Sequence, residues 1–199
     1  FSMNNADDHR INNGESIWVL GSASPRRQHL LKFCGQPFKI QASNVNERQE
    51  ADELPQDFAL RMAEEKALNV AKIYSNSQVV IGGDTVVALG TKILGKPSST
   101  DEAKATLLML SGCTHEVWSG WAIARCNEEG QCEIRQSGVA LSQVTMRELT
   151  ETEILAYIDD GEPLDKAGSY GIQGKGGRFV VGLKGSFFAV IGLPMIDLF

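Results

Sequence analysis

The sequence has no apolar run long enough to cross a bilayer. Its longest nearly apolar stretch, Phe187 to Ile196, is interrupted by Gly192 and Pro194 and falls far short of the roughly 20 residues a membrane helix needs. No membrane partner is expected. There is no excess of positive charge either: 25 acidic residues against 19 basic ones leave a formal net charge of -6, a field that repels nucleic acid and anionic lipid alike. An aromatic stacking platform for single-stranded bases is also missing, which argues against nucleic-acid binding through Arg26 and Arg27. Any anion this chain binds must be captured locally. The four cysteines (Cys34, Cys113, Cys126, Cys132) include no CxxC pair and follow no signal peptide, so neither a disulfide framework nor a zinc knuckle is expected. Cys126 and Cys132 flank a turn across which they could pair, but reduced thiols in a cytoplasmic protein are the expectation. Internal repeats, low-complexity segments, a Walker loop and a Rossmann fingerprint are all absent from the sequence.

What remains is the pattern of an ordinary folded α/β chain of 199 residues. Residues 1–15 read as a disordered or vector-derived extension, and 16–199 as one catalytic domain. Ile17 to Leu20 suits a buried strand, and Ser24 (N-cap), Pro25 (first helical position) and Gly35 (stop) frame a helix after it. "LPQDFALRMAEEKALNVAKIY" carries helical periodicity, with Ala59, Met62, Ala63, Val70 and Ile73 on one face. "QVVIGGDTVVAL" reads as a central strand whose glycines allow a bulge, with a hairpin at Gly90. Ser99 with Glu102, and Thr150 with Glu153, mark two capped helices. Between them, "THEVWSGWAIARC" and "CEIRQSGVALSQVTM" form an antiparallel pair, and Phe179 to Ile191 reads as a final hairpin turning at Lys184 and Gly185. Alternating elements followed by hairpins predict an α/β fold with a mixed, elongated sheet flanked by helices, and a central cleft between two lobes fits that pattern.

Three places break the pattern, and three further residues stand beside them. In "GSASPRRQHLL", Arg26 and Arg27 occupy the first helical turn, where the helix dipole favours anions rather than cations. They either join the free backbone N–H groups around a bound anion or stand as solvated surface arginines. Lys66 falls on the apolar stripe of its helix; such a lysine ordinarily snorkels to water, and only an anionic partner would let it point into a cleft. Asp84 lies mid-strand behind Gly82 and Gly83, which leave room for a ligand. A carboxylate there either serves the local structure, bonded to backbone or Thr85, or holds Mg²⁺ or acts as a general base on water. Glu47 and Lys96, taken alone, read as solvated. Gln173, in the glycine-rich "DKAGSYGIQGKGG", has both a donor and an acceptor for reading a base edge.

In order, "SASPRR", "EEKA", "GGDTVV", "LGKP", "LSGCTHEV", "DDGEPLDKAGSYGIQG" and "GLP" resemble the Maf family of nucleoside triphosphate pyrophosphatases, over Ile17 to Pro194. The resemblance implies a Maf/inosine-triphosphate-pyrophosphatase-like fold, a homodimer, and hydrolysis of a nucleoside triphosphate to monophosphate and pyrophosphate with Mg²⁺ or Mn²⁺. It implies Asp84 as proton acceptor and Ser22, Arg27, Glu47, Lys66 and Lys96 as phosphate-contacting or otherwise essential groups; the metal is expected on Asp84, with Glu47 nearby as the second carboxylate. Arg26, Thr85 and Gln173 correspond to positions that govern substrate choice, and the "DKAGSYGIQG" form is similar to the branch acting on dTTP and UTP. Family members often carry Ala in place of Gly82 or Gly83, and commonly continue into a further C-terminal helix. A rival reading, also suggested by the family, is a nucleotide-binding regulator of septum formation with little turnover.

Overall fold

The computed structural model describes residues 17–74 and 78–199; the extension assigned to residues 1–15 lies outside them. The order is β1 (Trp18–Leu20), α1 (Pro25–Lys32), β2 (Phe38–Ile40), α2 (Pro55–Ala71), β3 (Val79–Leu89), β4 (Lys92–Leu94), α3 (Thr100–Leu110), β5 (Thr114–Cys126), β6 (Cys132–Met146), α4 (Glu151–Asp159), β7 (Val180–Lys184), α5 (Phe187–Ile191) and α6 (Met195–Leu198). Three short 3-10 turns bridge α4 and β7. One mixed sheet runs β2-β1-β3-β5-β6-β7, with β4 on β3. β1 pairs in parallel with both β2 and β3, and every other ladder is antiparallel.

The parallel part positions the site. From β1 the chain moves through α1 to β2 on one side, then returns through α2 to β3 on the other. The strand order therefore reverses at the carboxyl end of β1, and such a reversal opens a crevice in an α/β sheet. Pairing of β1 with β3 stops at Leu20 and Ile81, where Gly21 N donates to Ile81 O at 2.8 Å. Beyond that point β3 continues through Asp84 and Thr85 with a partner only on the β5 side.

Apolar clusters cover both faces here. Val19, Ala63, Ala67, Val70 and Val80 pack on the α2 side, and Leu20, Leu30, Leu31, Ile81 and Leu193 on the α1 and α5 side. A separate cluster of Val87, Leu107, Ile154, Tyr157 and Phe179 forms the second lobe, around α3 and α4. Burying such side chains supplies most of the drive to fold.

Several sequence expectations need correction. β3 runs against β5 without a register shift from Val80 to Ala88, so there is no bulge at the glycines. The glycines do not both open space for a ligand: a Cβ at Gly82 would lie 2.3 Å from Ala63 O, and one at Gly120 only 2.1 Å from Ala59 O. They let α2 press its backbone onto the sheet. Phe187–Ile191 is a helix, not the second arm of a hairpin: the Ser186 hydroxyl accepts from Ala189 N and starts it. Ile73 lies past the end of α2, exposed. Cys126 and Cys132 are joined by a disulfide rather than left as thiols; they face each other directly in the β5–β6 register, with Cα atoms 3.9 Å apart. The capping box at Thr150 and Glu153 is complete. At Ser99 half of it forms, because Glu102 turns its carboxylate to Ser98 instead.

Candidate active site

Strand alternation sends successive residues of β3 to opposite faces. Gly82 and Asp84 face α2, whereas Gly83 and Thr85 face α1 and the segment at Gly192. On the α2 side, Lys66 lies one turn from both Met62 and Val70 and is buried with them. Its ammonium does not snorkel. It donates to Asp84 Oδ1 at 2.7 Å and meets Glu47 Oε1, also at 2.7 Å. An unpaired ammonium at this depth would cost several kcal/mol, about 3–5 when one partner of a buried pair is lost, and two carboxylates remove that penalty. Burial opposes the charge on Glu47, but the Lys66 hydrogen bond and the attraction of Lys66, Lys96 and Arg27 outweigh it and hold its carboxyl below the usual range.

On the opposite face, the first turn of α1 shows how a pair of arginines is tolerated at a helix start. The two diverge. Arg27 is drawn inward, where Nε donates to Gly192 O at 2.8 Å, Nη1 to Ser22 Oγ at 3.1 Å and Nη2 to Thr85 Oγ1 at 3.3 Å. Thr85 Oγ1 is in turn 2.8 Å from Ser119 Oγ. Burial lowers the Arg27 pKa from its ordinary value, an effect that Asp84 and Glu47 counter and Arg26 adds to; arginine still remains cationic. Arg26 stays exposed. Ser24 caps α1 by position but makes no side-chain cap bond; its N–H donates to Ser22 Oγ at 3.2 Å, so one hydroxyl ties the loop to both Ser24 and Arg27.

All nine residues singled out from the sequence (Ser22, Arg26, Arg27, Glu47, Lys66, Asp84, Thr85, Lys96, Gln173) line one cleft of about 490 Å³. Lys96 enters from the segment after β4, where Gly95 O accepts from Gly168 N at 3.2 Å, and it forms no ion pair among the described residues. Sequence reasoning missed Lys166 and Tyr170, which wall the cleft from the second lobe, and Gly192, whose carbonyl anchors Arg27. Lys166 stood in the glycine-rich segment already noted, and its charge was the available signal. Nothing in the local pattern marks Gly192 as an acceptor.

Chemically, the cleft offers cations at its rim (Arg26, Lys96, Lys166), an anchored guanidinium at its floor and two carboxylates on a shared ammonium, a combination suited to an extended polyanion with a reactive centre near Asp84. Asp84 and Glu47 each spend one oxygen on Lys66, and no hydrogen bond among the described residues engages Asp84 Oδ2 or Glu47 Oε2. Two such oxygens fit a hard divalent cation that draws its remaining ligands from substrate phosphates. No group of three or more His, Cys, Asp or Glu side chains that could hold a metal occurs among the described residues.

An α/β sheet with a polyanion cleft at its strand reversal defines the class. Residues 18–199 match the family described as Maf-like protein, and the chain belongs to that family. Among its relatives, a dTTP/UTP pyrophosphatase of Bacillus cereus (strain AH187) is 46% identical over 177 residues, 89% of this chain and 89% of the relative. Another dTTP/UTP pyrophosphatase, from Lachnoclostridium phytofermentans (strain ATCC 700394 / DSM 18823 / ISDg), is 40% identical over 181 residues, 91% of each chain.

Proposed function

We propose that residues 16–199 act as one catalytic domain, a nucleoside triphosphate pyrophosphatase that hydrolyses dTTP and UTP to the monophosphate and pyrophosphate. The observation that carries this reading is the Asp84–Lys66–Glu47 row facing Arg27 across a single cleft, in a chain whose relatives bear that activity in their names. Asp84 accepts a proton from a water held at its free oxygen. The water oxygen bonds to the α-phosphorus, the α–β bridging P–O bond breaks with its electron pair, and pyrophosphate departs. Lys66 holds both carboxylates in place at the cleft. Lys96 and Arg27 meet the phosphate chain, Arg27 also setting the Ser22 and Thr85 hydroxyls, and Arg26 at the rim serves substrate choice, so catalysis rests on positioning and preorganised charge. Asp84 and Glu47 would hold Mg²⁺ or Mn²⁺, which neutralises phosphate charge and withdraws electrons from the attacked phosphorus. Gln173 reads the base.

The protein works as a homodimer in the cytoplasm on this reading. The test is a panel of nucleoside triphosphates scored for pyrophosphate, with Mg²⁺ and with chelator, on wild type and Asp84→Asn. Chelator-sensitive release from dTTP and UTP that disappears in the folded variant is the expected result. Full release by Asp84→Asn, or equal rates across all bases, overturns it.

A further inference from the structure

Gln173 sits exposed at the tip of a turn closed by Gly174 N donating to Gly171 O at 3.1 Å. Turns of this size with glycine on both sides are floppy unless something outside holds them. Here something does, and it lies outside the cleft. Glu162 Oε2 accepts from Lys175 N at 2.8 Å, and Oε1 accepts from Gly176 N at 3.1 Å and from the Tyr157 hydroxyl at 2.8 Å. The Tyr157 oxygen in turn accepts from Gly171 N at 3.2 Å. Both ends of the 171–176 turn are thus fixed to one carboxylate, directly on one side and through a buried phenol on the other. The approach is close: a Cβ at Gly174 would fall 2.4 Å from Glu162 Oε1, and one at Gly176 2.5 Å from the Tyr157 oxygen, so either would displace the group that holds the turn. The Glu162 carbonyl also accepts from Lys166 Nζ at 3.0 Å, which orients a cation of the cleft wall.

We propose that Glu162, with Tyr157, is a positioning residue for base selection: its carboxylate fixes the turn that presents the Gln173 carboxamide to the nucleobase. The inference rests on the reading of Gln173 as the base-contacting residue. An ionised carboxylate is needed because every partner is a donor. Burial disfavours the charge, but the backbone donors of Lys175 and Gly176 and the Tyr157 hydroxyl outweigh it and hold the Glu162 carboxyl below its usual range. Glutamine at 162 must turn its NH₂ toward at least one N–H, leaving two donors face to face.

The experiment compares kcat and KM for dTTP and for GTP in wild type, Glu162→Gln, Tyr157→Phe, Gln173→Ala and the Glu162→Gln/Gln173→Ala double variant. Expected is an about tenfold fall in the dTTP-to-GTP ratio of kcat/KM for Glu162→Gln, carried mainly by KM for dTTP, the scale of one misplaced oriented hydrogen bond. The double variant should be no less selective than Gln173→Ala alone. A residue that merely stabilises the fold lowers the active fraction for both substrates equally and leaves the ratio unmoved. Should Glu162→Gln not fold, Tyr157→Phe removes the Gly171 anchor while keeping the ring against Phe179, and it should shift the ratio in the same direction. If Gln173→Ala changes the ratio and neither Glu162→Gln nor Tyr157→Phe does, the positioning role is overturned while the Gln173 reading stands. If Gln173→Ala leaves the ratio unchanged, the Gln173 reading falls, and any effect of Glu162→Gln then refutes action through Gln173.

Discussion

Lys66 and Asp84 form a buried ion pair, ammonium to Oδ1 at 2.7 Å, with both side chains less than a tenth exposed. They come from different elements and meet only because glycine at 82 and 120 lets α2 lie close on the sheet. Removing the cation alone strands a charge. Lys66→Met should therefore cost about 3–5 kcal/mol at pH 7, read by urea unfolding, and Lys66→Met/Asp84→Leu should regain much of that loss while remaining inactive. A cost under about 1 kcal/mol for the single variant would show that the pair contributes little.

The two glycines of β3 should separate cleanly. Gly82→Ala drives a Cβ toward the Ala63 carbonyl and pushes α2 outward, destabilising by about 1–3 kcal/mol and lowering activity as Lys66 retreats from Asp84. At Gly83 the nearest atom to a Cβ is Arg27 Nε at 3.4 Å, so Gly83→Ala should stay near wild type in thermal melting. The family resemblance allows alanine at either position; the backbone of α2 permits it only at the second.

Arg27→Lys keeps the charge but cannot span Gly192 O, Ser22 and Thr85 at once. Steady-state kinetics should show kcat/KM for dTTP lower by roughly 10- to 100-fold, the scale of losing preorganised donors. A near-normal value would mean that Arg27 serves as a point charge and its fork geometry is irrelevant.

His115 gives the fold an acid limit. It is 1% exposed, its Nε2 lies 2.8 Å from the Tyr170 hydroxyl, and its Nδ1 has no partner among the described residues. Burial lowers its pKa from 6.5 to about 4, so the folded imidazole stays neutral where the unfolded one takes a proton. The stability this represents is complete above the unfolded value and is lost as pH falls through the folded one. Integrated, the loss between pH 7 and pH 5 is about 2 kcal/mol. Urea unfolding of His115→Phe at the two pH values should lack that difference.

The sequence revealed these parts unevenly, for physical reasons. Ser99, Thr150 and Pro25 announced helix starts because caps act within one turn. Asp84, Lys66 and Arg27 stood out because charge in an apolar stripe or a first turn contradicts local pattern, and the cleft gathers all three. The direction of Lys66 was not legible: period gives the face of a helix but not whether an ammonium finds carboxylates there. Nor was the purpose of Gly82, since a glycine that admits a ligand and one that admits a helix look alike in one dimension. "FFAVI" suits a short strand as well as a short helix until Ser186 closes its cap. The disulfide depended on the register of two long strands.

The bond from Arg27 to the Gly192 carbonyl joins positions 165 residues apart. A growing chain exposes α1 early, yet the arginine has no carbonyl to hold until synthesis has passed Gly192. Until then the guanidinium lacks its Nε anchor and has only the Ser22 and Thr85 hydroxyls to hold it. A chain synthesised only as far as β7 therefore carries the Asp84 carboxylate without the Gly192 carbonyl that holds Arg27 across the cleft.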